Sequence, residues 1–152
     1  MAGEGSARDQ ISALIFRYAE RIDAGDFDAL GELFRHARYG AGDGPLALSG
    51  DQVARINREL VILYEDGTPR TRHVTTNLVI EVDEASGTAA ARSTYVVFQQ
   101  APGRPLEPIV SGRYHDRFER ADGRWRFAER RIHVDLVGDL SRHLRALPRE
   151  VR

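Results

Sequence analysis

Two side chains far apart in the chain could act together. Asp23 ends the stretch "RYAERID", and His73 opens "HVTTN". A carboxylate in the last turn of a helix meets the negative end of the helix dipole, at a cost of a few tenths to about 1 kcal/mol, and so invites a donor or cation. An imidazole bonded to a carboxylate through one ring nitrogen has a fixed tautomer, gains basicity and keeps its other nitrogen free to take a proton. The pair would be a general base. Spacing alone leaves His73 open as a base, a metal ligand or a structural histidine, and Asp23 as a solvated group or a surface partner of Arg21. Asp26, in the same "DAGD" run, is accounted for as a helix N-cap.

The remaining candidates surround that pair. Thr75 and Asn77 share the parity of His73, so a polar face runs along this segment. His133 and Asp135, in "RRIHVDLVGD", could share a strand face as metal ligands, but no third ligand has local spacing and no HExxH is present. His36 and His115 are flanked by charge and His143 lies in the tail; all three are expected at the surface. If the last strand alternates, Arg130 or Arg131 must point inward, where a guanidinium needs an anion or a carbonyl oxygen; Glu129, Asp135 and Glu81 could supply it. Tyr18, Tyr95 and Tyr114 suit core packing with a polar tip. The chain has no phosphate loop, dinucleotide fingerprint or Gly-x-Ser-x-Gly elbow.

The elements that must position these groups fit one domain of 152 residues, large enough to enclose a cavity. Cysteine is absent, which removes thiolate chemistry and disulfides. The 22 basic residues are all arginine, interspersed with 23 acidic ones for a net charge of −1, so nucleic acid is disfavoured as a partner and Schiff-base catalysis is excluded. No apolar run approaches the ~18 residues of a membrane span, and the start lacks a basic segment followed by an apolar one; a soluble, cytoplasmic protein is expected.

Residues 9–24 place Ile11, Leu14, Ile15, Tyr18 and Ile22 at helical spacing, with Ser6 and Asp9 as a capping pair and Gly25 as the stop. Asp26 starts a second helix with Phe27, Leu30, Leu33 and Phe34 as its apolar stripe. Glycines and Pro45 break residues 36–48 into a loop or irregular strand pair. Ser49 starts a third helix, with Val53, Ile56, Leu60, Leu63 and Tyr64 on one face and its end before Gly67. The period then changes to two. Strands are expected over 72–83, 88–100, 109–120 and 124–136, with Val74, Leu78, Ile80 and Val82 opposite His73, Thr75 and Asn77, and "DLSRHLRAL" reads as a short C-terminal helix. Helices followed by long antiparallel strands make an α+β plan in which a curved sheet wraps its concave face over the helices. The ends, 1–8 and 148–152, are expected to be flexible. In the second of these strands, Arg92, Thr94, Val96 and Phe98 share the parity that points away from the core, which suggests a homodimer or homotrimer.

The succession "FRYAERIDAGDFDALGELF", "RHVTTNLVIEVD" and "GRYHDRFERADGRWRFAERRI" resembles the SnoaL-like part of the nuclear-transport-factor-2-like superfamily, over about residues 8 to 145. The resemblance implies a cone-shaped, strongly curved antiparallel sheet (an α+β barrel) closed by three helices around a deep apolar pocket. Within that superfamily the pattern looks most like scytalone dehydratase and lindane dehydrochlorinase, cofactor-free enzymes that use an Asp–His pair. Asp23 and His73 match that pair, and Arg130 matches an active-site arginine of the dehydrochlorinase. Tyr18 stands where the dehydrochlorinase has lysine and matches an oxyanion-hole tyrosine of ketosteroid isomerase, whose base aspartate has only Asp43 nearby; the second histidine of scytalone dehydratase has no clear counterpart. The resemblance thus implies a lyase or isomerase without cofactor or metal, acting on a small apolar molecule with a carbonyl or hydroxyl. In it His73 takes the proton, Asp23 supports the imidazolium, and Tyr18 or Arg130 holds the oxygen. Thr75, Asn77, Phe34, Tyr64, Tyr95, Tyr114 and His133 are expected to line the pocket. A cyclase, isomerase or hydrolase of natural-product or steroid metabolism in the same pocket, or a non-catalytic ligand-binding or assembly subunit like the small subunits of ring-hydroxylating oxygenases, are the rival expectations.

Overall fold

The computed structural model describes residues 5–148. Helices α1 (Ala7–Asp23), α2 (Phe27–Leu33) and α3 (Gly50–Leu60) enclose, with a five-stranded sheet, a single core; the strands are β1 (Arg38–Ala41), β2 (Thr71–Asp83), β3 (Thr88–Gln99), β4 (Glu107–Ala121) and β5 (Arg124–Val137). The sheet order is β1-β5-β4-β3-β2. The four long strands are antiparallel, and β1 adds itself to β5 in parallel, so the sheet is mixed. Residues 38–41, expected as loop or irregular strand pair, supply that edge, and Tyr39 also bridges to Leu48. Of the ends expected to be flexible, residues 1–4 and 149–152 lie outside the described range, while Ala7 and Arg8 already belong to α1.

Local signals account for the helices. Ser6 and Asp9 close a reciprocal capping box on α1, and Asp26 accepts from the backbone N–H of Ala29 to start α2. Ile11, Ile15, Tyr18 and Ile22 form the buried stripe of α1, each aliphatic side chain contributing roughly 1.5–3 kcal/mol of burial. Helices α2 and α3 approach closely at two glycines: a Cβ on Gly31 would stand 2.8 Å from the carbonyl oxygen of Gly50. Helix α3 stops at Leu60, short of the expected end, because Val61 leaves the helix to bridge with Leu144; Leu63, expected on its apolar face, is exposed.

The decisive local feature of the sheet is a bulge in β2. Pairing with β3 shifts register between Thr76 and Val79, and Asn77 adopts φ 52°, the left-handed region that asparagine tolerates better than most residues. An extra residue in a strand swaps the face of everything beyond it. Thr71 and His73 therefore face inward before the bulge, and Leu78, Ile80 and Val82 face inward after it. The expectation of one apolar parity throughout is corrected accordingly: Val74 is exposed, as is Asn77.

The tail after β5 is also not a helix. His143 and Leu144 both donate backbone N–H groups to the Leu140 carbonyl, making one turn, and the chain is then strapped to the end of α3 by Ile62 N–H to His143 O and Arg145 N–H to Leu60 O. Tyr64 Oη donates to the Arg142 carbonyl at 2.5 Å, and Gln99 Nε2 donates to the same oxygen at 3.1 Å. This strap closes one end of the core. Arg92, Thr94, Val96 and Phe98 lie on the outer face of β3, as their parity implies. No helix among the described residues is long and apolar enough to cross a membrane.

Candidate active site

Asp23 is the last residue of α1, and the inward side chains at the start of β2 meet it there. Its Oδ1 accepts from His73 Nδ1 at 2.6 Å and from Thr71 Oγ1 at 2.9 Å, while Oδ2 accepts the His73 backbone N–H at 2.8 Å. A carboxylate at the negative end of a helix is thus held by three donors from a neighbouring strand. With an ionised Asp23, which only accepts, and a neutral ring, this contact assigns the proton to Nδ1 and the lone pair to Nε2. The side chains of His73 and Asp23 are only 6% and 14% exposed, which shields the pair from bulk water. Thr71 is a member of this constellation that sequence reasoning passed over; its signal is the same parity as His73, two residues earlier.

His73 borders two spaces. One is a groove of about 850 Å³ that Asp23 also lines and whose rim includes Glu20, Asp66, Arg70 and Arg72; the other is a smaller, inner cavity of about 180 Å³ among core side chains. Tyr18, Tyr95, Tyr114 and His143 share the inner cavity with His73, and Val97, Val110, Ile132 and Leu140 supply apolar wall. An apolar cavity of about 150 Å³ suffices for benzene, so this volume is on the scale of a single ring. Tyr18 stands edge-on to the His73 ring, with centroids 6.4 Å apart. Its hydroxyl shares a hydrogen bond of 3.1 Å with Tyr39. Burial raises the Tyr18 phenol above its ordinary range, and raises Tyr39 and Tyr114 further, so these hydroxyls stay protonated donors. Tyr95 stacks on Tyr114 at 4.4 Å.

Arg130 is the inward arginine of the pair, and Arg131 turns outward to the carbonyls of Gly42 and Gly44. Arg130 does not reach into the cavity in the manner expected of an oxygen-holding group. It is fully buried, donates Nε and Nη2 to Asp116 at 2.8 Å each, and packs against the rings of both Tyr18 and Tyr114, 4.3 and 3.9 Å from their centroids. Nη1 has no hydrogen-bond partner among the described residues. Burial opposes the guanidinium charge, but the attraction and hydrogen bonds of Asp116, with the nearby tyrosines, outweigh it and raise Arg130 above its ordinary range. Arg130 therefore supports the floor on which two cavity tyrosines rest. Its anion is Asp116, directly opposite on β4, rather than Glu129, Asp135 or Glu81.

Several other expected pocket residues sit elsewhere. Asn77 is exposed at the bulge, and Thr75 is half-buried beyond His73 without lining the cavity. Phe34 is wholly buried in an aromatic cluster with Tyr18, Tyr39 and Phe127, one layer behind the wall. Tyr64 is spent on fastening the tail. His133 faces the outer side of the sheet, its ring 4.9 Å from that of His115; desolvation and the neighbouring His133 lower the His115 pKa. Asp135 pairs with Arg113 there, and no group of three or more potential metal ligands occurs among the described residues. His143, expected at the surface, is instead buried and lines the cavity.

With this arrangement in view, comparison with known proteins is specific about the family. Residues 4–131 match the model of the SnoaL-like domain. The chain belongs to the SnoaL-like family. Solved structures of other proteins share the fold at low identity. An NTF2-like protein with a cystatin-like fold from Novosphingobium aromaticivorans is 23% identical, with a TM-score of 0.65 over 84% of this chain and 80% of that one. A provisionally named scytalone dehydratase from the same organism is 20% identical, with a TM-score of 0.67 over 87% and 86%. The β subunit of a provisionally assigned aromatic-ring-hydroxylating dioxygenase, also from that organism, is 21% identical, with a TM-score of 0.68 over 87% and 91%. No protein of curated function matches the sequence.

Proposed function

We propose that this SnoaL-like protein is a cofactor-independent enzyme that abstracts a carbon-bound proton, a dehydratase-type lyase or an isomerase, acting on a small and largely apolar molecule with a carbonyl or hydroxyl. The observation that carries the proposal is the 2.6 Å bond from His73 Nδ1 to a carboxylate that Thr71 and the His73 backbone already hold in place. Substrate in the inner cavity presents a C–H to Nε2. As the proton moves, Asp23 stabilises the imidazolium, and Tyr18, which lines the same cavity, offers its hydroxyl to the oxygen on which charge develops. Positioned proton transfer of this kind supplies about 10²–10⁴ in rate.

The test needs no natural substrate. 5-Nitrobenzisoxazole is a compact carbon acid: loss of its ring C–H proton to a base breaks the N–O bond and releases a coloured cyanophenolate. The wild-type protein is expected to open this ring well above the buffer rate, and His73→Ala to lose about 10²–10⁴ of that enhancement. A wild-type protein no faster than buffer, or a His73→Ala variant of undiminished rate, would overturn the assignment. Cyclisation or hydrolysis in the same cavity would use the same base and differ in substrate. Similarity to a dioxygenase β subunit supports the rival reading of an assembly subunit; that reading predicts an inert dyad in this assay.

A further inference from the structure

His143 is the cavity residue that the base mechanism leaves without a task. It reaches the interior from the C-terminal strap, whose backbone is fixed on both sides by Ile62 N–H to His143 O and Arg145 N–H to Leu60 O. The residue is only 6% exposed, yet its Nδ1 is enclosed with no hydrogen-bond partner among the described residues. Leaving a buried polar atom unpaired costs about 1–3 kcal/mol, so native structures seldom do it without a use. Packing alone would be served better by leucine, which already occupies Leu140 and Leu144 on either side and lines the same cavity.

We propose that His143 is a second substrate-contacting residue of this site, a neutral imidazole whose ring N–H holds the substrate oxygen that gains negative charge as His73 takes the proton. The inference rests on the reading of His73 as the base. Of the charged and titratable groups around His143, His73 and Asp23 act on it through space, and Tyr18, Tyr95 and Tyr114 share its cavity. Burial, reinforced by His73, lowers the His143 pKa to about 4, so at neutral pH it holds one N–H and one lone pair. Once His73 becomes an imidazolium, a second positive imidazole in so small a space is disfavoured further. His143 therefore cannot serve as a cationic acid; it acts as a fixed neutral donor, a role a neutral imidazole can fill at a polarised carbonyl. The occupant it selects is a molecule whose reacting carbon and oxygen are separated enough to face His73 and His143 at once, such as an enolisable ketone or a phenol-forming ring.

The experiment uses 4-nitrophenolate, which carries the oxyanion but offers no proton to abstract. Its affinity is expected to fall about tenfold to a hundredfold in His143→Leu and to recover to within about threefold of wild type in His143→Gln, which keeps an N–H donor. Binding of 4-nitrophenolate involves no proton transfer, whereas ring opening of 5-nitrobenzisoxazole requires it, which separates this inference from the reading of the base. In ring opening of 5-nitrobenzisoxazole, His143→Leu should lower kcat with little change in KM. In the unmutated protein, bound 4-nitrophenolate should shift the ring ¹⁵N resonances of His143, a readout independent of how the variants fold. Unshifted His143 resonances, absence of binding by the wild type, or equal affinity in wild type and His143→Leu would overturn the inference.

Discussion

Replacing His143 by leucine should change how stability depends on pH. An unfolded His143 binds a proton as pH falls through its ordinary value of 6.5, whereas the folded protein resists until about 4. Between those values the unfolded state holds more protons, so stability rises with pH across that window and is lost as pH falls through it. At about 1.4 kcal/mol for each pH unit, the wild-type protein should lose about 2–3 kcal/mol to this one group between about pH 7.5 and pH 4.5. The full loss, somewhat over about 3 kcal/mol for the gap from 6.5 to about 4, is reached only below the folded-state value. Urea unfolding of wild type and His143→Leu at both pH values measures it. Groups far from the cavity are common to the two proteins, so the difference between their pH dependences reports His143 together with its coupling to His73 and Asp23. The variant should gain about 2–3 kcal/mol on wild type at the acidic pH relative to the neutral one. Parallel curves would show that His143 titrates normally, and would refute its burial as an uncharged cavity group.

Two further predictions address the supports of the site. Thr71→Val removes one donor from Asp23 with little change of volume; ring opening of 5-nitrobenzisoxazole should slow by up to about tenfold while the melting temperature is nearly kept, and an unchanged rate would remove Thr71 from the constellation. Asp116→Leu strands the buried Arg130 charge and should cost about 3–5 kcal/mol in urea unfolding, most of it regained when Arg130→Met is added; a cost no smaller in the double variant would mean that the pair contributes net stability.

The polar positions of the site were legible to different degrees, for local reasons. Asp23 and His73 stood out because a carboxylate at a helix end and a histidine heading a polar strand face are each locally odd, and the structure joins them. The three helix starts followed from Ser6, Asp26 and Ser49. Asn77 misled because strict alternation carries it inward with His73, and the bulge that turns it outward depends on pairing with β3. Asp116 was invisible among the charges of "RYHDRFER": each looks solvated until register sets it opposite Arg130. His143 was misplaced with the tail, whose spacing suits a helix while its backbone bonds go to Leu60 and Ile62. Contacts between segments distant in the chain decided each of these three.

The central claim is that Asp23 holds His73 as a neutral base with Nε2 bare toward the cavity. The most direct measurement is the two-bond ¹H–¹⁵N correlation spectrum of the His73 ring at neutral pH, in wild type and in Asp23→Asn. The account predicts a protonated Nδ1 and an unprotonated Nε2 in the wild type, with that preference lost in the variant. A proton resident on Nε2 in the wild type, or the same tautomer in both proteins, would contradict it.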